Sequence, residues 1–183
     1  ANIGKIEKII LKSFFEFKNH DLDTILFHNT KILHKDIGKK IFKNLILMKK
    51  KKYFKKIGVS IYNFNELKYL IKNFKIDVVQ CPYNVFDTRL EDEKWINFLK
   101  KNKIEIHVRS IFLQGILINY KYRQNKYFSK IKDQFTSWDS FLERNKLSAV
   151  QGALNFVFQN KKIDKILIGI ENLSQLKDII KSS

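Results

Sequence analysis

Four stretches of this chain open in the same way. "KKIGVS" at 55, "FKIDVVQ" at 74, "NKIEIHV" at 102 and "DKILIGI" at 164 each carry a lysine, an isoleucine and then a short run rich in β-branched residues. A fifth, "DLDTILFHN" at 21, begins on acids instead. Runs of this length and composition are the pattern of strands buried on both faces, the signature of a parallel sheet. Between them apolar residues recur at three- and four-residue spacing: Ile41, Leu45 and Met48, then Leu67, Leu70 and Ile71, then Trp95, Phe98 and Leu99. That spacing predicts helices, as do the patterns of Ser148 to Phe158, Leu173 to Ile180 and the opening Ile3 to Phe17. Strand and helix therefore alternate for five strands, with one long interruption from Ile111 to about Trp138. Alternation of this kind gives parallel strands joined by helical crossovers, in an α/β sheet or a (β/α)8 barrel. The 183 residues suffice for one core, and a single domain over residues 1–183 is expected.

The strand ends carry the chemistry. The five runs finish at His28, Ser60, Gln80, Arg109–Ser110 and Gly169–Ile170, each apolar stretch giving way to a polar residue or a glycine. A parallel sheet brings those ends to one rim, where ligands bind. Thr24, Leu26 and His28 share one side of their strand, as do Ile76, Val78 and Gln80 of theirs. In a barrel that side points inward, so His28 and Gln80 would look into the mouth. One histidine or glutamine at a strand end is as commonly structural as functional. Their coincidence across strands marks a site.

The charge of +18 needs placing before it is given a meaning. A surplus of that size suits nucleic acid, an anionic membrane or another polyanion. Only four of the 36 basic residues are arginine, at 89, 109, 123 and 144, so a lysine-rich composition accounts equally well for the total. The runs at 49–52, 72–75, 100–103 and 161–165 all fall where a helix ends and a strand begins, where cations are favoured by the helix dipole. That face lies opposite the strands' C-terminal ends, and a solvated rim is the simpler reading of it.

Other classes are excluded by what the sequence lacks. The single cysteine, Cys81, allows no internal disulfide and suits a reducing, cytoplasmic setting; no base neighbours it to make it a nucleophile. No apolar run is long enough to span a membrane. No Cys/His spacing suggests a metal site, and neither G-x-G-x-x-G nor G-x-x-x-x-G-K occurs. His107, mid-strand, reads as a core residue, while His20 and His34 lie in polar stretches and are expected at the surface. Asp87 and Arg89 read as a brace for the turn after the strand that ends on Gln80. The aromatic and basic stretch from Ile118 to Phe135 reads as a substrate loop or linker.

At this point the wording itself becomes informative. "IGVSIYN" at 57–63, "IDVVQCPYNVFDTRL" at 76–90 and "IEIHVRSIFLQGIL" at 104–117 resemble three consecutive blocks of the aldo-keto reductases. "DTILFHN" at 23–29 resembles the block that holds that family's active-site histidine, and "ILIGIENLSQL" at 166–176 its last strand and adenosine-side loop. The likeness covers nearly the whole chain in the family's order. It implies a (β/α)8 TIM-type barrel, N-terminally incomplete, with about five of the eight β/α units. It implies an oxidoreductase that moves hydride between nicotinamide and a small carbonyl or alcohol substrate. By the same resemblance His28 would orient the substrate carbonyl, and Ser60 and Gln80 would hold the nicotinamide carboxamide. Arg109 stands where many relatives stack a tyrosine on the nicotinamide. Ser110, Phe112 and Gln114 would line the pyrophosphate, partly through backbone groups. Gly169, Glu171, Gln175 and Asp178 would wrap the adenosine end.

The departures are as specific. Ile61 stands where many relatives have asparagine, which removes one carboxamide contact. Glu171 lies in the loop that usually carries basic residues for a 2′-phosphate, so the choice between NADP and NAD stays open, with Lys177 as a compensating charge. The family's tyrosine, lysine and aspartate lie before the histidine block, and nothing upstream of residue 23 matches them. The chain is therefore expected to be a fragment, inactive alone, of an enzyme active at full length, or else a genuinely shortened form, either inactive or completed by another subunit. Two other classes stay open: a basic module that binds nucleic acid or an anionic surface, and a non-catalytic barrel relative that binds cofactor. Nucleic acid is the disfavoured partner. Substrate identity and oligomeric state are not readable from the sequence.

Overall fold

The computed structural model describes residues 3–17, 22–92 and 94–182; His20 lies outside them. Five strands, β1 (Leu22–Phe27), β2 (Phe54–Ser60), β3 (Val78–Pro82), β4 (Glu105–Arg109) and β5 (Lys165–Ile166), form one sheet in the order β1-β2-β3-β4-β5. The pairings β1–β2, β2–β3 and β4–β5 are parallel. The helices are α1 (Ile3–Glu16), α2 (Asp36–Lys50), α3 (Leu67–Asn73), α4 (Arg89–Asp92), α5 (Trp95–Lys101), α6 (Tyr120–Arg123), α7 (Lys132–Asn145), α8 (Ala149–Phe158) and α9 (Leu173–Ser182). The alternation read from the sequence is thus present. One expected strand is much shorter than its apolar run: only Lys165 and Ile166 of "DKILIGI" pair. β5 is the last strand in the sheet order, with one neighbour to bond.

The long interruption after β4 is more regular than expected. It holds α6, a 3₁₀ turn over Lys126–Ile131 and the whole first half of α7. Phe135, Trp138 and Leu142 give α7 one buried stripe, and Asp133 sits in its first turn, where the helix dipole favours an acid.

The chain gathers into two compact units, Ala1–Cys81 with Asn97–Ile106, and Pro82–Ile96 with His107–Ser183. In the first, α2 buries Ile41, Phe42, Leu45 and Met48 at the spacing the sequence shows. Phe42 packs on Phe74 with ring centroids 4.9 Å apart and stacks near Phe27 at 6.0 Å. Gly58 on β2 is obligatory: a Cβ there would lie 2.6 Å from both Leu26 Cδ2 and the Val78 carbonyl oxygen. The lysine runs take their expected places, Lys49 and Lys50 in the last turn of α2, Lys72 in that of α3. Beyond the dipole they find carboxylates: Lys49 Nζ lies 2.6 Å from Asp77, which also accepts the Ile57 amide at 2.8 Å.

On β2 itself Lys56 Nζ meets Glu105 at 2.7 Å and Asp23 at 3.5 Å. The hydrogen bond to Glu105 holds the Lys56 ammonium above its ordinary pKa, with Asp23 adding to it and burial opposing.

In the second unit Leu117, Trp138, Leu142 and Ala153 form a buried cluster that Phe86, Phe112 and Leu113 pack against. Gly152 lets α8 approach α7, since a Cβ there would sit 2.5 Å from Leu142 Cδ2. α8 starts on a capping box, Ser148 with Gln151, in which each satisfies the other's backbone amide.

Candidate functional site

In the first unit the strand ends line up by register. Ser60 is the partner of Gln80, and Phe27 is the partner of Val59, which puts His28 level with Ser60 one step further along. Ser60 and Gln80 are buried, and Ser60 Oγ donates to Gln80 Oε1 at 3.0 Å. The backbone repeats the link: the Ile61 amide donates to the Gln80 carbonyl at 2.9 Å. Gln80 Nε2 has no acceptor among the described residues, yet no fully buried side-chain nitrogen or oxygen among them lacks a partner, so this amide keeps access to solvent. The pair therefore offers two N–H donors from Gln80 beside the lone pairs of the Ser60 hydroxyl. His28 is exposed at the end of β1.

In the second unit the segment after β4 makes a tight turn. Ser110, Leu113 and Gln114 have φ of 58°, 48° and 55°, and Gly115 follows at 87°. The left-handed region costs a non-glycine residue roughly 1–2 kcal/mol. Leu113, Gly115 and Ile116 turn their amides inward, onto the carbonyls of Ser110, Phe112 and Leu113. The amides of Ile111, Phe112 and Gln114 have no acceptor among the described residues. Arg109 Nη1 donates to Ser110 Oγ at 3.3 Å, and Asn84 Nδ2 donates to the Ser110 carbonyl at 3.0 Å. The Phe112 ring packs in the hydrophobic cluster, so whatever Phe112 offers a ligand comes through its backbone.

The remaining expected residues lie further along this unit. Gly169 is exposed, with nothing within 4 Å of a would-be Cβ. Gln175 Oε1 accepts the Glu171 amide at 2.9 Å, and the Gln175 amide donates to Asn172 at 3.0 Å, a cap for α9. Glu171, Lys177 and Asp178 are exposed. Asp87 and Arg89 brace the turn after β3 as expected, in a forked pair at 2.8 and 2.7 Å. His107 is buried on β4, and His34 is an exposed ring stacked on Tyr69 at 4.2 Å.

Sequence reasoning passed over Asn84, Arg123, Trp138 and Asp139. Asn84 is 1% exposed and sits inside the block after Gln80. The Arg123 side chain is nearly covered, donating to the Ile116 carbonyl at 2.8 Å, the Leu117 carbonyl at 2.5 Å and Asp139 on α7 at 2.5 Å. The available signal was the rarity of arginine in a lysine-rich chain, since a guanidinium can bond three acceptors in one plane and an ammonium cannot. Among the described residues no group of His, Cys, Asp and Glu is placed to hold a metal ion, and no helix is long and apolar enough to cross a membrane.

Comparison with known proteins gives one family and one fold. The model of the aldo/keto reductase family matches residues 1–183. No curated protein matches the chain. Among solved structures, the holo form of an aldo-keto reductase from Bacillus halodurans superposes with a TM-score of 0.74 at 17% identity, covering 99% of this chain and 62% of its own. A thermostable aldo-keto reductase in complex with the inhibitor epalrestat gives 0.72 at 15%, covering 99% and 61%. A glycerol dehydrogenase from Gluconobacter oxydans gives 0.66 at 14%, covering 99% and 64%. The chain thus spans less than two thirds of the length of these structures, which accords with five of the eight β/α units of a barrel.

Proposed function

The chain belongs to the aldo/keto reductase family, and from that premise we propose that the whole protein moves hydride between a nicotinamide dinucleotide and a small carbonyl or alcohol substrate. The observation that carries this reading is the Ser60–Gln80 pair. A primary carboxamide presents two N–H donors and one carbonyl acceptor, and the pair offers the complement: amide hydrogens on Gln80 and an accepting hydroxyl on Ser60. Two such bonds fix the plane of the ring and therefore which face transfers hydride. The dinucleotide supplies the hydride; the chain's own residues bind and orient.

The rest of the expected set has work of the same kind. His28 orients the substrate carbonyl from the end of β1. The Arg109 guanidinium offers a flat face for the nicotinamide ring. Ser110 and the amides of Ile111, Phe112 and Gln114 suit the oxygens of a diphosphate, since adjacent backbone N–H groups make an anion-binding concavity. Gly169 through Asp178 serve the adenosine end, where exposed Glu171 is suited to accept from a free ribose hydroxyl and exposed Lys177 to neutralise a phosphate. Both NAD and NADP are accommodated by this set.

Titration of the chain with NADPH and with NADH, followed through the intrinsic fluorescence of the reduced nicotinamide, tests the reading. Saturable binding of at least one is expected; none at millimolar concentration overturns it. The resemblance puts the family's proton-donating tyrosine before the histidine block, and nothing upstream of residue 23 resembles that part. The expected turnover of an aldehyde by this chain alone is therefore nil, and measurable consumption of NADPH with an aldehyde would contradict that part.

A further inference from the structure

The turn after β4 is held from outside itself. Non-glycine residues at positive φ persist only where their surroundings over-determine them, and this turn has three, Ser110, Leu113 and Gln114. Three side chains from elsewhere in the second unit capture its carbonyls. Asn84 takes that of Ser110 at its start, and Trp138 Nε1 takes that of Leu117 at its end, at 3.2 Å. Arg123 does most: its Nε and one terminal nitrogen bond the adjacent carbonyls of Ile116 and Leu117, while its other terminal nitrogen bonds Asp139. The guanidinium also lies over the Phe135 ring, 5.2 Å from its centroid, and the side chain is only 7% exposed.

We propose that Arg123 is a positioning residue for the diphosphate of the dinucleotide. It touches no reacting atom. It fixes Ile116 and Leu117 against α7 so that the strained turn cannot relax, and the amides of Ile111, Phe112 and Gln114 stay aimed as one set. Asp139 fixes the guanidinium plane in turn, and Phe135 supports its face. A lysine at 123 would keep the charge but reach one carbonyl from a flexible stem, with no fork to span two carbonyls and a carboxylate. The inference rests on the cofactor reading above, and it adds a residue that lies between the stretches at 104–117 and 166–176 and has no role in the resemblance.

The test compares Arg123→Lys with the wild-type chain on two ligands, NADPH and reduced nicotinamide riboside, which has the nicotinamide end but no phosphate, together with amide hydrogen exchange. A weakening of NADPH on the order of tenfold or more is expected, with the riboside unchanged. Exchange should accelerate at Leu113 and over Gly115 to Asn119, whose amides are bonded within the turn, and stay unchanged in β2 and β3. Unchanged NADPH affinity, or equal losses for the two ligands, overturns the role given to Arg123. If the wild-type chain binds neither ligand, the cofactor reading itself falls. Should Arg123→Lys fail to fold, Asp139→Asn serves instead: it keeps the arginine, removes its counter-charge, and is expected to show the same ordering of ligands with a smaller loss.

Discussion

The two clusters proposed to hold the dinucleotide reach their geometry by opposite routes. In the first unit Ser60 and Gln80 are placed by regular strand pairing, one register step past residues that are wholly apolar and wholly buried. Neither Ser60 and Gln80 nor the strand residues paired beside them have a backbone torsion in the left-handed region. In the second unit the turn from Ser110 to Gly115 departs from regular structure at four residues and depends on side chains of Asn84, Arg123 and Trp138 to hold it. A site on a sheet inherits its precision from the core beneath it. A site on a strained turn must be clamped, and its precision is set by a few polar contacts that single substitutions can remove. The first should therefore fail by unfolding, the second by losing aim while still folded.

The largest effect should come from striking the sheet. Gly58→Ala forces a methyl against a backbone carbonyl and Leu26, and overpacking of this kind costs about 1–3 kcal/mol. A urea midpoint unchanged from wild type would show that β2 is not the rigid support described. Next is Gln80→Leu, close in volume, which removes the amide and strands the Ser60 hydroxyl. About tenfold weaker binding is expected for NADPH and for nicotinamide mononucleotide alike, the equivalent of one strong hydrogen bond of about 1.4 kcal/mol. A loss confined to NADPH would mean that Gln80 serves the phosphate end rather than the ring.

Trp138→Phe strikes the clamp more gently. It keeps the stack on Phe141 but loses the bond to the Leu117 carbonyl, at a cost of about 1 kcal/mol. Faster exchange over Ile116 to Asn119 is expected with the strands unaffected; uniform acceleration would put the clamp and the core in one cooperative unit. The smallest effect is electrostatic. Lys56 is held above its ordinary 10.5 chiefly by Glu105. A raised folded-state pKa means that its stabilisation is complete below 10.5 and is lost only as pH rises through the higher value. The stability gap between wild type and Lys56→Met should therefore stay flat from neutrality to about pH 10.5 and close above it. A gap that stays the same through pH 10.5 and above would show that Lys56 gains nothing from Glu105 and Asp23.

What the sequence disclosed divides along the same line. Periodic residues revealed the strands and the helices, because burial repeats every two residues in one and every three or four in the other. Gln80 and Ser60 were readable because each breaks an apolar run at its end. Arg123 and Asp139 were not, since their partners are backbone carbonyls, which leave no mark in a sequence. α7 was half hidden behind an aromatic stretch whose lysines mask the spacing of Phe135, Trp138 and Leu142. Asn84 lay in plain view inside a quoted block, but its task, a bond to the carbonyl of Ser110, depends on a contact 26 positions away.

The most direct test of the account is the side-chain amide of Gln80 itself. In an isotope-labelled chain titrated with reduced nicotinamide mononucleotide, the Nε2 proton resonances of Gln80 should shift saturably, with Ser60 and His28 shifting at the same midpoint. Titration to saturation with those resonances unmoved, or movement confined to residues away from the ends of β1, β2 and β3, would contradict it.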